Sequence, residues 1–180
     1  MEMLDIVDEN GQPTGMVKAR SKVHEDGDLH RTAHVWIVRD NEKGGLDILL
    51  QKRSENKDSF PGCLDISSAG HIPAGSDYIE SALRELKEEL GIEATPEELE
   101  YRWTLRAHHT NIFHGKTFND NRISRVYRMK RNNFDIEAIK VQKEEIQGVI
   151  WMDYKECLEA VRNNTIKSCI ILEELEKIGD

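Results

Sequence analysis

Apolar residues recur along this chain with two different spacings, and the spacing changes several times. "MLDIVDENGQPTGMVKAR" reads as two short strands about a turn at "ENGQPTG". "AHVWIVRD" and "LDILLQKR" are rich in β-branched and bulky aliphatic residues and are separated by "NEKGG", which predicts a hairpin. The polar run "SENKDSFPG" leads to a further strand at "CLDISSAGH". The spacing then turns helical from about Asp77 to Leu90, placing Ile79, Leu83, Leu86 and Leu90 toward the core. Asp77 with Glu80 makes a capping box, and Gly91 stops the helix. "EYRWTLRAHH", "NRISRVYRMKR" and "EEIQGVIWMD" are further strands. The last hands over at Asp153 to the helix "YKECLEAVRNN", followed by a second helix over "IKSCIILEELEKI". Mixed strands with helices outside them predict an α/β sandwich, and with no repeat or linker visible residues 1–180 read as one domain.

Composition narrows the function classes. Charged residues make 33% and hydrophobic residues 38% of the 180 positions, as expected of a folded domain. A net charge of −9 argues against a nucleic-acid or anionic-membrane footprint. No apolar run approaches the roughly 20 residues of a bilayer span, and the acidic start "MEMLDIVDEN" is no secretory signal. Cys63, Cys157 and Cys169 have neither metal nor redox spacing, and their odd number favours reduced thiols in the cytoplasm.

The chemistry concentrates in "RELKEELGI". On a helix, Glu85, Glu88 and Glu89 fall on one side and repel one another, while Lys87 points elsewhere. Arg84, four residues before Glu88, is placed to orient a carboxylate. A hard divalent cation such as Mg²⁺ relieves that repulsion, and it keeps coordination positions for phosphate oxygens.

"GHIPAGSDYIESALRELKEELGI" resembles the Nudix box, Gly-x5-Glu-x7-Arg-Glu-U-x-Glu-Glu-x-Gly-U, where U is a bulky aliphatic residue. Gly70, Arg84, Glu85, Leu86, Glu88, Glu89, Gly91 and Ile92 fall in register, and Ser76 replaces the first glutamate. The resemblance implies a Nudix α/β/α sandwich with a mixed central sheet, hydrolysing a diphosphate joined to another moiety. It implies Mg²⁺, or Mn²⁺, held by Glu85 and Glu89, with Glu88 as ligand or base and the Gly70 carbonyl completing the site.

Beyond the box, "HEDGDLHRTAHVWI" and "QKRSENKDSFPGCLDISSAGH" resemble the Nudix branch related to isopentenyl-diphosphate isomerase. That reaction uses a cysteine and a glutamate; the matching positions here are Ala69 and Arg122, and neither serves as a proton carrier. The resemblance makes His24, His30 and His71 a candidate second metal site, although its strand partners are now Asp120 and Arg122. It also makes Arg53 and Lys57 a phosphate clamp. Glu145, with Glu144 before it, stands where many Nudix proteins place a further acid, so Glu88 and Glu145 are the candidate catalytic carboxylates. "RAHHTNIFHGKTFNDN" is expected to be a long loop that closes over substrate, with His108, His109 and His114 as contacts. Trp36, Trp103 and Trp151 are expected in the core or the cleft wall. The expected partner is a small diphosphate, and the expected assembly is a monomer or homodimer.

Overall fold

The computed structural model describes every residue except Asp58, His114 and Asp180. An antiparallel hairpin of β1 (Met3–Val7) and β2 (Pro13–Ala19) opens the chain. Asp8 closes its turn by accepting the Asn10 and Gln12 N–H groups, and Gly11 takes φ 76°. Helix α1 (Arg20–Asp26) follows and ends at left-handed Gly27. Its one apolar side chain, Val23, gives no period to read in the sequence.

The main sheet contains β3 (His30–Asp40), β4 (Leu46–Arg53), β5 (Leu64–Asp65), β6 (Ser68–His71), β7 (Glu100–Phe113), β8 (Lys116–Lys130) and β9 (Ile146–Asp153). Its order is β5-β4-β3-β8-β7, with β9 on β4 and β6 on β3. The β3–β8 pair is parallel and the other pairs are antiparallel, so the sheet is mixed as expected. One edge of β3 is divided: Thr32–Val35 pair with β6 and Val38–Asp40 pair with β4.

Strand alternation then builds two cores. Ala33, Val35, Ile37 and Leu49 pack under α2 (Tyr78–Leu90). Trp36, Val38, Ile48 and Leu50 face the other way, under α3 (Tyr154–Arg162) and α4 (Leu172–Ile178). The result is the expected α/β/α sandwich.

Four local expectations are corrected. The buried stripe of α2 runs through Tyr78, Ala82, Leu86 and Leu90, while Ile79 is 36% exposed. Tyr78 sets that phase, because its ring is held by Arg31 at 5.5 Å and Arg125 at 4.3 Å. Asp77 caps the helix by accepting the Tyr78 N–H instead of sharing a capping box with Glu80. Most of the expected loop over 106–121 is strand, residues 106–113 in β7 and 116–121 in β8, since the β7–β8 ladder continues from Ala107–Arg122 out to Phe113–Lys116. His108 and His109 therefore lie in β7, and His114 lies outside the described residues. The last helix begins only at Leu172, because Leu64 draws residues 167–169 into extended backbone: it donates to the Lys167 carbonyl and accepts the Cys169 N–H. Of the tryptophans, Trp36 is fully buried and Trp151 stacks beneath Arg39 at 4.3 Å.

Candidate active site

Helix α2 ends at Gly91, φ 66°, and its last turns border a cleft of about 490 Å³. Glu85, Glu88, Glu89, Gly70 and Arg84 all line it. Glu89 is the most buried of the three helix glutamates, at 9% exposure. Ser68 Oγ donates to its carboxylate at 2.8 Å and Gln51 Nε2 at 3.5 Å. Burial pushes its pKa up to about 8. Burial also raises the Glu85 pKa, against the pull of Arg84, whose guanidinium donates to it at 2.5 Å. The side chain of Glu88 stays 58% exposed, with Arg84 Nε 3.7 Å away. Arg84 therefore grips Glu85 rather than mainly Glu88, and Lys87 turns away to Glu93 at 3.0 Å.

Gly70 leaves room for Glu85. A Cβ there would overlap the Glu85 side chain, so glycine lets that carboxylate lie against the β6 backbone where a larger residue would turn it away. Carboxylates and a backbone carbonyl are hard oxygen donors, and burying Glu89 and half-burying Glu85 carries a cost that a bound cation offsets. The residues fit a hard divalent ion.

Opposite them, the Lys57 ammonium and the Glu145 carboxylate form an ion pair. The loop carrying Glu145 is pinned at both sides: Gln142 N donates to Glu89 O and Ser54 N to Glu145 O, both at 2.9 Å. Arg53 lines the same cleft and is anchored by Asp65 at 3.0 Å and the Ser59 carbonyl at 2.9 Å.

The histidines come from three elements, α1, β3 and β6, and one ring nitrogen of each lies within 4.8 Å of the others. His24 Nδ1 is 3.0 Å from the Asn119 carbonyl and His30 Nδ1 is 3.0 Å from the Asp28 carbonyl. Those carbonyls require N–H at Nδ1, which leaves each Nε2 as a lone-pair donor. His24 Nε2 faces His71 Nε2 at 3.0 Å, and His30 Nε2 has no hydrogen-bond partner among the described residues. Burial lowers the pKa of His24 and His30 to about 4 and that of His71 well below its ordinary value, which keeps the rings neutral. Neutral imidazole is the form that binds a metal. Arg122 works against this, since it pairs with Asp120, the nearby carboxylate.

One residue at the cleft was invisible to sequence reasoning. Glu174, on α4, accepts the Trp36 indole N–H at 2.7 Å and His34 Nδ1–H at 2.9 Å. It sits in an ordinary charged-apolar helix with no motif around it. The two positions matching the isomerase's proton carriers, Ala69 and Arg122, do line the cleft.

Comparison with known proteins agrees with this arrangement. The NUDIX domain profile matches residues 28–170. The chain is 42% identical over 157 residues to Nudix hydrolase 3 of Arabidopsis thaliana, which covers 86% of this chain but 20% of that protein. It is 38% identical over 163 residues to an uncharacterised Nudix hydrolase of Clostridium acetobutylicum, covering 90% of this chain and 75% of the relative. A Deinococcus radiodurans crystal structure has the same fold, with a TM-score of 0.72 at 20% identity over 99% of this chain and 100% of that one. The NUDIX domain of Shewanella oneidensis NrtR, solved with ADP-ribose, aligns with a TM-score of 0.55 at 15% identity over 82% of each chain. With the box, the sandwich and the carboxylate cleft in place, this chain belongs to the Nudix hydrolase family.

Proposed function

We propose that the protein is a divalent-cation-dependent hydrolase that cleaves the diphosphate linkage of a small organic or nucleoside diphosphate. The observation carrying this reading is the convergence of Glu85, Glu88, Glu89 and Gly70 on one cleft that also holds Lys57, Arg53 and Glu145. Glu85 and Glu89, with Glu88 and the Gly70 carbonyl, are the ligands, and Mg²⁺ or Mn²⁺ suits them. Such a cation supplies Lewis-acid activation of a phosphoryl oxygen and a more acidic water.

The remaining steps belong to the side chains. Lys57 and Arg53 neutralise charge on the diphosphate. An incoming diphosphate competes for Lys57, and Glu145 is then released to accept a proton from the attacking water. Glu88, exposed at the cleft rim, is the alternative base. Arg84 holds the Glu85 carboxylate in place. His24, His30 and His71 form a second, nitrogen-rich site suited to Zn²⁺ or Mn²⁺.

Residues 1–180 are read as one domain, since the N-terminal hairpin is tied to the loop after β6 by Ala74 N donating to Met3 O at 2.9 Å. No helix among the described residues is long and apolar enough to cross a membrane, and three free thiols fit a cytoplasmic setting.

Phosphate release across a panel of nucleoside, sugar and isoprenoid diphosphates, with and without Mg²⁺, tests the reading. Mg²⁺-dependent release supports it. Interconversion of the two five-carbon isoprenoid diphosphates without phosphate release would replace it with isomerase chemistry. Binding without turnover would leave a diphosphate-binding module.

A further inference from the structure

The cleft does not end at the carboxylates. Along β3, Ala33 and Val35 face α2, whereas Thr32, His34 and Trp36 face α3 and α4. Strand pairing sets Ala69 beside His34 and Arg122 beside His30, on that second face. The cleft reaches there too, lined by Thr32, His34, Ala69, Arg122 and Glu174, with Ile170 and Ile171 above. A second chamber thus adjoins the diphosphate site, on the opposite face of the sheet from the metal-site helix.

Its fittings are polar and buried. The Arg122 side chain is 16% exposed, its one ion pair among the described residues is with Asp120, and its Nε has no hydrogen-bond partner there. The Glu174 carboxylate is already taken by Trp36 and His34. That carboxylate takes the hydrogen on His34 Nδ1, so Nε2 is the ring nitrogen left for a ligand. The nearest protein hydroxyl, Thr32 Oγ1, is 3.4 Å from Nε2 and sits closer to Ser124 Oγ, at 2.6 Å. The chamber therefore offers a guanidinium and the second nitrogen of an imidazole on one cleft. A hydroxyl group, donor and acceptor in one atom, satisfies both. An alkyl chain would strip water from Arg122 and return nothing.

Size adds a limit. Pockets of roughly 300–1,000 Å³ hold one drug-sized ligand, and this cleft of about 490 Å³ must also hold the diphosphate.

We propose that this chamber sets specificity: Arg122 and His34, the latter positioned by Glu174, bind a hydroxylated single-ring group carried on the diphosphate and discriminate against an alkyl group. The assignment rests on the hydrolase reading for the placement of the diphosphate. It is tested by binding, which does not require turnover.

The probes are methylene-bridged, non-hydrolysable diphosphonates of a hexose and of isopentenyl alcohol, titrated calorimetrically into the Mg²⁺-loaded protein. The hexose compound is expected to bind at least about a hundredfold more tightly, because a site built to pair a hydroxyl penalises its absence. In Arg122→Met and His34→Phe the gap shrinks at least tenfold through loss on the hexose side. Rescue of part of the gap in Arg122→Lys marks a charge contact rather than a folding effect. Equal affinities, or tighter binding of the isopentenyl compound by the unsubstituted protein, overturn the proposal. That comparison stands even if a substituted chain does not fold. Tight hexose binding with no hydrolysis of the natural diphosphate counts against the hydrolase reading and leaves the specificity assignment intact.

Discussion

At the scale of single residues, Glu89 carries the sharpest consequences. Loss of groups that merely orient metal ligands costs roughly 10–100-fold, so removing a ligand itself should cost more. Glu89→Gln is expected to lower kcat by more than about a hundredfold while circular dichroism stays native. The same residue predicts a pH effect on stability in chelator. Its folded pKa is about 8 against an ordinary 4.5, so across that window the folded chain keeps a proton that the unfolded chain loses. Thermal stability should therefore fall as pH rises from 4.5 toward 8, and Glu89→Gln should flatten that slope. Gly70→Ala puts a methyl where the Glu85 side chain lies, so Glu85 must swing aside. Activity should fall while the urea midpoint shifts little; full activity would contradict the need for Glu85 in that position. The box residues were legible because their types and spacing match a motif contained in one short stretch of chain. Glu174 and the hydrogen bond from Ser68 to Glu89 were not, since they join residues far apart in sequence through side-chain geometry alone.

At the scale of elements, α2 was legible in extent and in most of its stripe: Leu83, Leu86 and Leu90 pack on the core as read, and Ile79 alone does not. Asp77 and Gly91 mark its ends by local chemistry, whereas the buried stripe follows from what lies beneath Tyr78. Leu86→Ala should cost about 2–5 kcal/mol, and Ile79→Ala less than about 0.5 kcal/mol, by urea unfolding. Equal losses would restore the stripe read from the sequence. Helix α4 began late for a tertiary reason, the pairing of residues 167–169 with Leu64, and that shift brings Glu174 to the cleft. Burial alone would raise the Glu174 pKa, but His34 and Trp36 outweigh it and hold the carboxyl below its usual value. Its contribution to stability is thus present above the unfolded carboxylate pKa and is lost as pH falls through the folded one. Urea midpoints measured into acid should drop more steeply for the unsubstituted protein than for Glu174→Gln.

At the scale of the whole molecule, the fold follows from alternation on β3 and β4, which feeds two cores and requires helices on both faces. That much was readable from period alone. The course of the cleft was not, because it depends on β4 and β6 dividing one edge of β3. The division places two candidate metal sites of different character on one cavity, one of oxygen donors on α2 and one of imidazoles around β3. The account assigns hydrolysis to the first. Anomalous diffraction from crystals soaked in Mn²⁺ distinguishes them most directly. A peak bonded by Glu85 and Glu89, lost in Glu89→Gln along with phosphate release, is the expected result. Manganese found only among His24, His30 and His71, with Glu85 and Glu89 apart and phosphate release unimpaired, would contradict it.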